Sequence, residues 1–323
     1  MEHTRCGTAR KRRSQGRRHR VRELLACEPR LVGRRTDQSP RRRAEQVDGV
    51  GTDVPCVAGW RVERSAGLAW ILCEALDSVR GVGHAFSTRV GPGDADFDLG
   101  AHEDSGEPFD TRRKMLCQAA GLSGQRPIVL HQVHGNRVAT GRQAAGGDPL
   151  TADGVCCLRE ESPGLAAAVR TADCVPILLA DTEGAAVAAV HAGWRGTAEQ
   201  IAARAVDLLG VRGIPAERLV AAIGPAIGPC CYEVAEEVAS AVTQACGVPL
   251  DTLFGRSAAA RTLDLPGANR LQLRRAGLRE SAIHIAPWCT ACRADFLFSY
   301  RQAAGPTGRL MACIGWAGES AAP

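Results

Sequence analysis

Strand-length apolar runs interleaved with helical patterns, no internal repeat, and no linker after a basic N-terminal stretch predict one domain of mixed strands and helices behind a leader. Charge marks off the leader. Through Arg43 there are 15 Lys and Arg against 4 Asp and Glu, a net of +11 that leaves −6 for the rest of a chain totalling +5. Residues 1–58 have almost no apolar periodicity and repel themselves, so either an Arg-rich disordered leader or upstream sequence from a mis-assigned start is expected there. No aromatic residue interleaves its arginines as a nucleic-acid stacking surface would require. The globular part, 59–323, is acidic, and no nucleic-acid partner is expected for it. The leader lacks the apolar core of a secretory signal, and no run is long enough to span a membrane. The fourteen cysteines sit in strand-like contexts such as Cys156 and Cys157, which fits reduced core thiols in a cytoplasmic protein.

The elements follow in order. Gly59 to Gly81 is a mixed apolar segment entering the fold. Val82 to Thr88 reads as a strand ending at Arg89 beside a Gly-Pro-Gly turn, where a guanidinium could hold an anion. The acidic turn with Asp94, Asp96, Asp98, Glu103 and Asp104 lacks a calcium-loop pattern. A helix capped by Asp110 or Thr111 should bury Met115, Leu116, Ala119 and Ala120 and stop at Gly121. Ile128 to Leu130 forms a strand that leads into two candidate ligands, His131 and His134, the second followed by Gly135, which permits close approach. Asp153 to Cys157 and Leu165 to Arg170 are further strands, the latter running towards Cys174.

The chemistry concentrates in 171–197. Two apolar runs, Val175 to Leu179 and Ala185 to Val190, are joined by Asp181, Thr182, Glu183 and Gly184, a hairpin composition. Antiparallel pairing brings Cys174, before the first run, beside His191, after the second. That is either a catalytic Cys/His couple or half of a metal site. Thr197 and Gln200 form a capping box for a helix through Ile201, Ala205, Leu208 and Leu209 to Gly210. Its positive end next to Arg195 is a place for phosphate. Leu219 to Ile223 is a strand, followed by two Gly-Pro steps, Cys230, Cys231 and Tyr232, a ring able to stack on a planar ligand, and then a helix through Ala245. Pro266 to Leu278 reads as helix and Ile283 to Ala286 as strand. Cys289-x-x-Cys292 has no second C-x-x-C and by itself specifies neither zinc nor redox work. Arg301 and Arg309 flank the entry to a last strand, Leu310 to Ile314.

Six segments taken together carry a resemblance: H-A-F-S-T-R (84–89), H-Q-V-H-G (131–135), T-A-D-C-V-P (171–176), V-H-A-G-W-R-G-T (190–197), G-P-A-I-G-P-C-C-Y-E-V (224–234) and the closing S-Y-R with T-G-R. In this order, from about Val82 to the C-terminus, the chain resembles the YfiH family, also called laccase-domain or polyphenol oxidase proteins and described as zinc-dependent purine nucleoside phosphorylases. The resemblance implies an α+β domain of two mixed sheets flanked by helices in α/β/β/α layers. It also implies a zinc held by His134, Cys174 and His191, choosing His134 over His131. Ala85 stands where the family usually has Gly, and the acidic turn replaces a Gly/Ser-rich one.

The activity implied is attack of inorganic phosphate on the glycosidic bond of adenosine, inosine, guanosine or methylthioadenosine, with adenosine deamination as a possible companion. His134, Cys174 and His191 would be the catalytic centre, and Arg89, Arg195, Thr197 and Tyr232 the candidates for holding phosphate and nucleoside. Copper is the alternative metal and a copper polyphenol oxidase the rival enzyme, although eight histidines with no His-x-His pair cannot build the clusters of a multicopper oxidase. A metal-free cysteine hydrolase would use Cys174 and His191, and consecutive strand residues point apart, so Asp173 would not orient that imidazole. A hydrolase editing wrongly built cell-wall precursors, another role attached to the family, would use the same residues. A cytidine-deaminase type of zinc site lacks its H-x-E and P-C-x-x-C segments.

Overall fold

The structure is a computed structural model that describes residues 57–93, 96–100, 109–146, 150–256, 261–303 and 305–317. The expected leader therefore lies, except for Val57 and Ala58, outside the described residues, as does part of the acidic turn.

Two six-stranded mixed sheets carry the domain. The first runs Trp60–Ser65, Leu68–Cys73, Val82–Ser87, Leu310–Trp316, Leu165–Thr171, Arg126–Pro127 in spatial order, and the second Ile283–Ile285, Leu219–Ile223, Val175–Asp181, Ala186–Ala192, Gly154–Leu158, Val138–Thr140. Most neighbours are antiparallel. Ile283–Ile285 on Leu219–Ile223 is a parallel pair, as are Val138–Thr140 on Gly154–Leu158 and Arg126–Pro127 on Leu165–Thr171.

Side-chain alternation explains why the strand Val175–Asp181 is buried along its whole length. Leu178 and Ala180 face a core shared with Ile71, Phe86, Val169 and Ile314 of the other sheet. Ile177 and Leu179 face a second core with Ile201, Ala205, Leu209, Val242 and Leu273, supplied by the helices Ile201–Gly210, Glu236–Cys246 and Leu265–Arg275. A third core seats Leu116 and Cys117 of the helix Phe109–Ala119 on the outer face of the first sheet, against Trp70, Leu72 and Ala85. Helices thus cover both outer faces, and the expected α/β/β/α layering is observed. A fully buried Leu or Ile contributes about 1.5–3 kcal/mol, so the three cores hold the sheets rigid beneath the loops that gather at their ends.

The helix Phe109–Ala119 ends as its sequence predicts: Gly121 takes φ 73°, and Leu122 N–H returns to Cys117 O at 2.7 Å. One expectation fails. The helix read as starting at Thr197 is two pieces, Trp194–Ala198 and Ile201–Gly210, hinged at Gln200 with φ 61°. Thr197 does not cap. It is fully buried, accepts the Asn269 amide at 3.0 Å through its hydroxyl, and accepts Gln272 at 2.7 Å through its carbonyl. Tertiary hydrogen bonds to the helix Leu265–Arg275 outcompete the local capping box. Among the described residues no helix is long and apolar enough to cross a membrane. Their cysteines are unpaired; Cys73, Cys117, Cys156, Cys157, Cys246 and Cys313 are buried as core thiols, whereas Cys230 and Cys292 are exposed.

Candidate metal centre and its cavity

The hairpin pairs as its composition predicts, with Pro176 opposite His191 and Val175 opposite Ala192. Cys174 and His191 therefore meet at one sheet end. His134 arrives from the loop after Leu130–His131, and the donor atoms of His134, Cys174 and His191 lie within 4.8 Å of one another. The two imidazoles stand edge to face, centroids 4.8 Å apart. His131 points elsewhere, its Nδ1 3.3 Å from Thr151 Oγ1.

Asp153, which sequence reasoning passed over, organises the centre. Its buried carboxylate accepts the N–H groups of His134 and Gly135 at 2.8 Å each and of Val133 at 3.2 Å, and its Oδ1 lies 2.9 Å from His191 Nδ1. That last bond fixes one proton on His191 Nδ1 and leaves Nε2 as the atom that a metal would take, displacing the proton it carries. Against its own burial, His191 and the Gly135 and Val133 N–H groups hold the Asp153 carboxyl below its usual range. Burial likewise opposes the Cys174 thiolate, yet the His191 charge and hydrogen bonds from His134 and His191 bring that thiol down to about 6. His191 rises to about 9, against burial, chiefly because it faces the Cys174 thiolate and then Asp153. A thiolate ready at neutral pH is what a metal needs from a cysteine.

Three nitrogen and sulfur donors at this spacing match the ligand set of a catalytic zinc, which keeps its fourth tetrahedral position for water or substrate. They also bear on the residue between the strand end and the short helix: a Cβ on Gly193 would sit 3.1 Å from His134 Cδ2 and 3.2 Å from Cys174 Sγ. Gly196 is equally constrained, with Gly135 O only 2.8 Å from its Cβ position. The glycines around Arg195 leave room for His134, Cys174 and the Gly135 carbonyl.

The centre opens into a cavity of about 640 Å³ whose wall includes Arg170, Arg301, Arg309, Tyr232, Tyr300 and Ile227. Burial lowers the Arg170 pKa first, and the charges of Arg113 and Arg309 lower it further. Arg301 lies over the Tyr232 ring, 5.4 Å from its centroid, and donates to Glu233 O at 2.9 Å. Asp98 anchors the backbone of Arg309 at 2.7 Å, so the acidic turn places an arginine.

The predicted ligand contacts are only partly brought together. Tyr232 lines the cavity, its hydroxyl pushed up to about 12 by burial and by the Cys174 charge. Arg89 does not line it: the guanidinium forms a fork with Asp96 at 2.9 and 2.6 Å, donates to Ala294 O and lies over Phe298. It clamps the turn, and its role as phosphate holder is withdrawn. Thr197 is withdrawn too, because it is buried behind the helix and a five-residue helix ending at Ala198 has no anion-binding terminus there. Arg195 is exposed, stacked on Trp194 at 4.5 Å and outside the cavity lining. Arg170 was legible as the one charge in an otherwise apolar strand.

A family model described as multi-copper polyphenol oxidoreductase laccase matches residues 83–317. The chain belongs to this family. Among its relatives is a protein of Deinococcus radiodurans named purine nucleoside phosphorylase, 39% identical over 241 residues covering 72% of this chain and 89% of the relative. A protein named adenosine deaminase RL5, from an unknown prokaryotic organism, is 37% identical over 158 residues, covering 49% of this chain and 60% of that one. The crystal structure of YlmD from Geobacillus stearothermophilus superposes with a TM-score of 0.68 at 32% identity, covering 80% of this chain and 99% of that one. In this member, the His134, Cys174, His191 group and a group of four cysteines are the candidate metal-ligating clusters among the described residues.

Proposed function

We propose that this chain is a zinc-dependent purine nucleoside phosphorylase acting at the His134, Cys174, His191 centre. The observation that carries the reading is the juxtaposition, on one cavity, of that donor set with the guanidiniums of Arg170, Arg301 and Arg309. Phosphorolysis has to bring a dianion against a neutral nucleoside. A fixed cationic wall at the reacting centre serves that end, and an oxidase acting on neutral phenols has no use for it. The volume, about 640 Å³, falls within the range of pockets that enclose a small ligand and suits a nucleoside with phosphate.

In this reading Arg170, Arg301 and Arg309 bind phosphate and turn one oxygen towards C1′ of the ribose. Tyr232, held by Arg301, forms a wall for the nucleoside. The oxygen–C1′ bond forms as the C1′–N9 bond breaks, and the base leaves with the proton that hydrogen phosphate brought while ribose 1-phosphate remains. Bound zinc would supply Lewis acidity at its open position. Asp153 keeps the His191 proton on Nδ1 throughout. The names of the relatives support purine nucleosides as the substrates, and the same open position would serve the deamination named for one of them.

The test incubates purified protein with adenosine and inosine, with and without inorganic phosphate. Base and ribose 1-phosphate should form only with phosphate, and Arg301→Ala should raise the phosphate KM about 10–100-fold, the worth of a charge-assisted contact. Base release at the same rate without phosphate, or oxidation of phenols by copper-loaded protein with no nucleoside turnover, refutes the proposal.

A further inference from the structure

A second sulfur-rich cluster lies apart from the catalytic centre. The loop after Leu219–Ile223 contains Gly228 and Pro229 and then turns back, so that Cys231 N–H and Tyr232 N–H both reach Gly228 O at 3.0 Å. The turn beginning at Cys289 runs beside it: Ala226 and Cys289 form a parallel bridge, and Thr290 N–H reaches Ala226 O at 3.0 Å. This pairing supplies the partner that Cys289-x-x-Cys292 lacks in the sequence. The four sulfurs of Cys230, Cys231, Cys289 and Cys292 lie within 4.8 Å of one another, with Cys292 3.4 Å from both Cys230 and Cys231.

The separations select among the possible states. A zinc bound tetrahedrally at about 2.3 Å from four sulfurs places them about 3.8 Å apart, and the observed spread brackets that value. A disulfide draws two sulfurs to about 2.05 Å and leaves the other two without purpose. The backbone is also arranged for a thiolate. Gly228 N–H donates to Cys289 Sγ at 3.2 Å, and the N–H groups of Cys292 and Ala291 face the same sulfur. A Cβ on Gly228 would fall 3.3 Å from Cys230 Sγ and Cys289 Cβ, so a side chain there would push these neighbours back by a few tenths of an ångström.

We propose that Cys230, Cys231, Cys289 and Cys292 form a second metal site, a tetrathiolate centre for a divalent ion of the zinc class. All four coordination positions come from the protein, so the site is closed and structural. Binding releases the thiol protons and ties the 224–234 loop to the 289–293 turn. The clamp bears on the cavity: Tyr232 follows Cys231 directly, and Thr290, between the two cysteines of the turn, donates its hydroxyl to Asp173 Oδ1 at 2.6 Å, next to Cys174.

The inference is independent of the nucleoside reading and is tested by metal content. Full-length protein purified anaerobically from zinc-supplied cells should carry two zinc ions per chain. The His134→Ala/Cys174→Ala variant should keep one, and X-ray absorption of that zinc should show only sulfur neighbours at about 2.3 Å. Cys289→Ser/Cys292→Ser should lose that ion and keep the other; if that variant fails to fold, the first variant still decides. The proposal is overturned if the His134→Ala/Cys174→Ala protein is metal-free, if its zinc has nitrogen or oxygen neighbours, or if alkylation before and after reduction finds the four cysteines in disulfides.

Discussion

Replacing Asp153 with Asn separates the organising carboxylate from the metal ligands themselves. The carboxylate takes four hydrogen bonds, two per oxygen: Oδ1 from His134 N–H and the His191 ring, Oδ2 from Gly135 and Val133 N–H. An amide has one acceptor oxygen, so Asn must turn its NH₂ against one of those pairs. These backbone donors are part-buried and water can reach some of them, so the loss in stability of the metal-free protein by urea denaturation should be about 1–3 kcal/mol. Whichever way the amide turns, His134 or His191 is held less firmly, and outer partners of this kind are worth about 10–100-fold in metal affinity. Zinc affinity of Asp153→Asn, measured by competition with a chromophoric chelator, should fall by that factor with the donor residues unchanged. Folded Asp153→Asn that binds zinc within about twofold of the original would refute the role of Asp153.

Other outcomes follow from the same geometry. Gly193→Ala should leave folding stability nearly unchanged, because φ at Gly193 is −72°, but should weaken zinc about 10-fold by pressing on His134 and Cys174; unchanged affinity in the same competition assay would contradict this. Arg89→Ala should lower the melting temperature by loosening the Asp96 turn while leaving the phosphate KM unaltered, whereas Arg170→Met should raise that KM; a reversed pattern would restore Arg89 to the site. His84, whose Nε2 accepts Cys73 N–H at 2.9 Å, is pushed down to about 3 by burial and then by the Arg61 charge. Its unfolded form binds a proton below about pH 6.5 and its folded form does not, so its contribution is present above that pH and is lost on acidification by about 1.4 kcal/mol per pH unit. The stability advantage of the protein over His84→Gln should therefore shrink by about 2–3 kcal/mol between pH 7 and pH 4.5, and a pH-independent difference would show that His84 titrates normally.

Local chemistry was readable wherever one residue decides one feature. Gly121 stops its helix and the 181–184 turn makes its hairpin, which with the strand period brings Cys174 to His191. Features that depend on distant partners were not. Thr197 and Gln200 satisfy a capping rule, but Asn269 and Gln272, more than seventy residues on, claim Thr197 first. Arg89 reads as an anion holder until the chain folds Asp96 under it. Asp153 gives no signal as a lone acid at a strand start, since its worth lies in three N–H groups twenty residues upstream. The cysteines that fold beside Cys289-x-x-Cys292 are an adjacent pair some sixty residues earlier, which a search for a second C-x-x-C along the chain does not find.

The candidate metal centre also shows why two aspartates, neither a candidate metal ligand, are tied to it. His134 has φ 61° and Asp173, beside Cys174, φ 91°, conformations that cost a non-glycine residue about 1–3 kcal/mol each. Both lie at strand ends, where the sheet no longer dictates the backbone. Asp153 holds the first by taking three consecutive N–H groups around His134. Asp173 holds itself, accepting Thr290 Oγ1 at 2.6 Å and Arg301 N–H at 2.7 Å, with its carbonyl accepting Ile227 N–H at 2.9 Å. In each case the left-handed residue carries or adjoins a donor of the His134, Cys174, His191 group, and the hydrogen bonds offset the strain. The second aspartate draws its partners from the turn that carries Cys289 and Cys292 and from Arg301 on the cavity wall, so one carboxylate ties that turn and that wall to the backbone beside Cys174. A sheet alone could bring Cys174 to His191; holding them against an arginine cluster requires this cross-bracing from loops that the two sheets leave at one end.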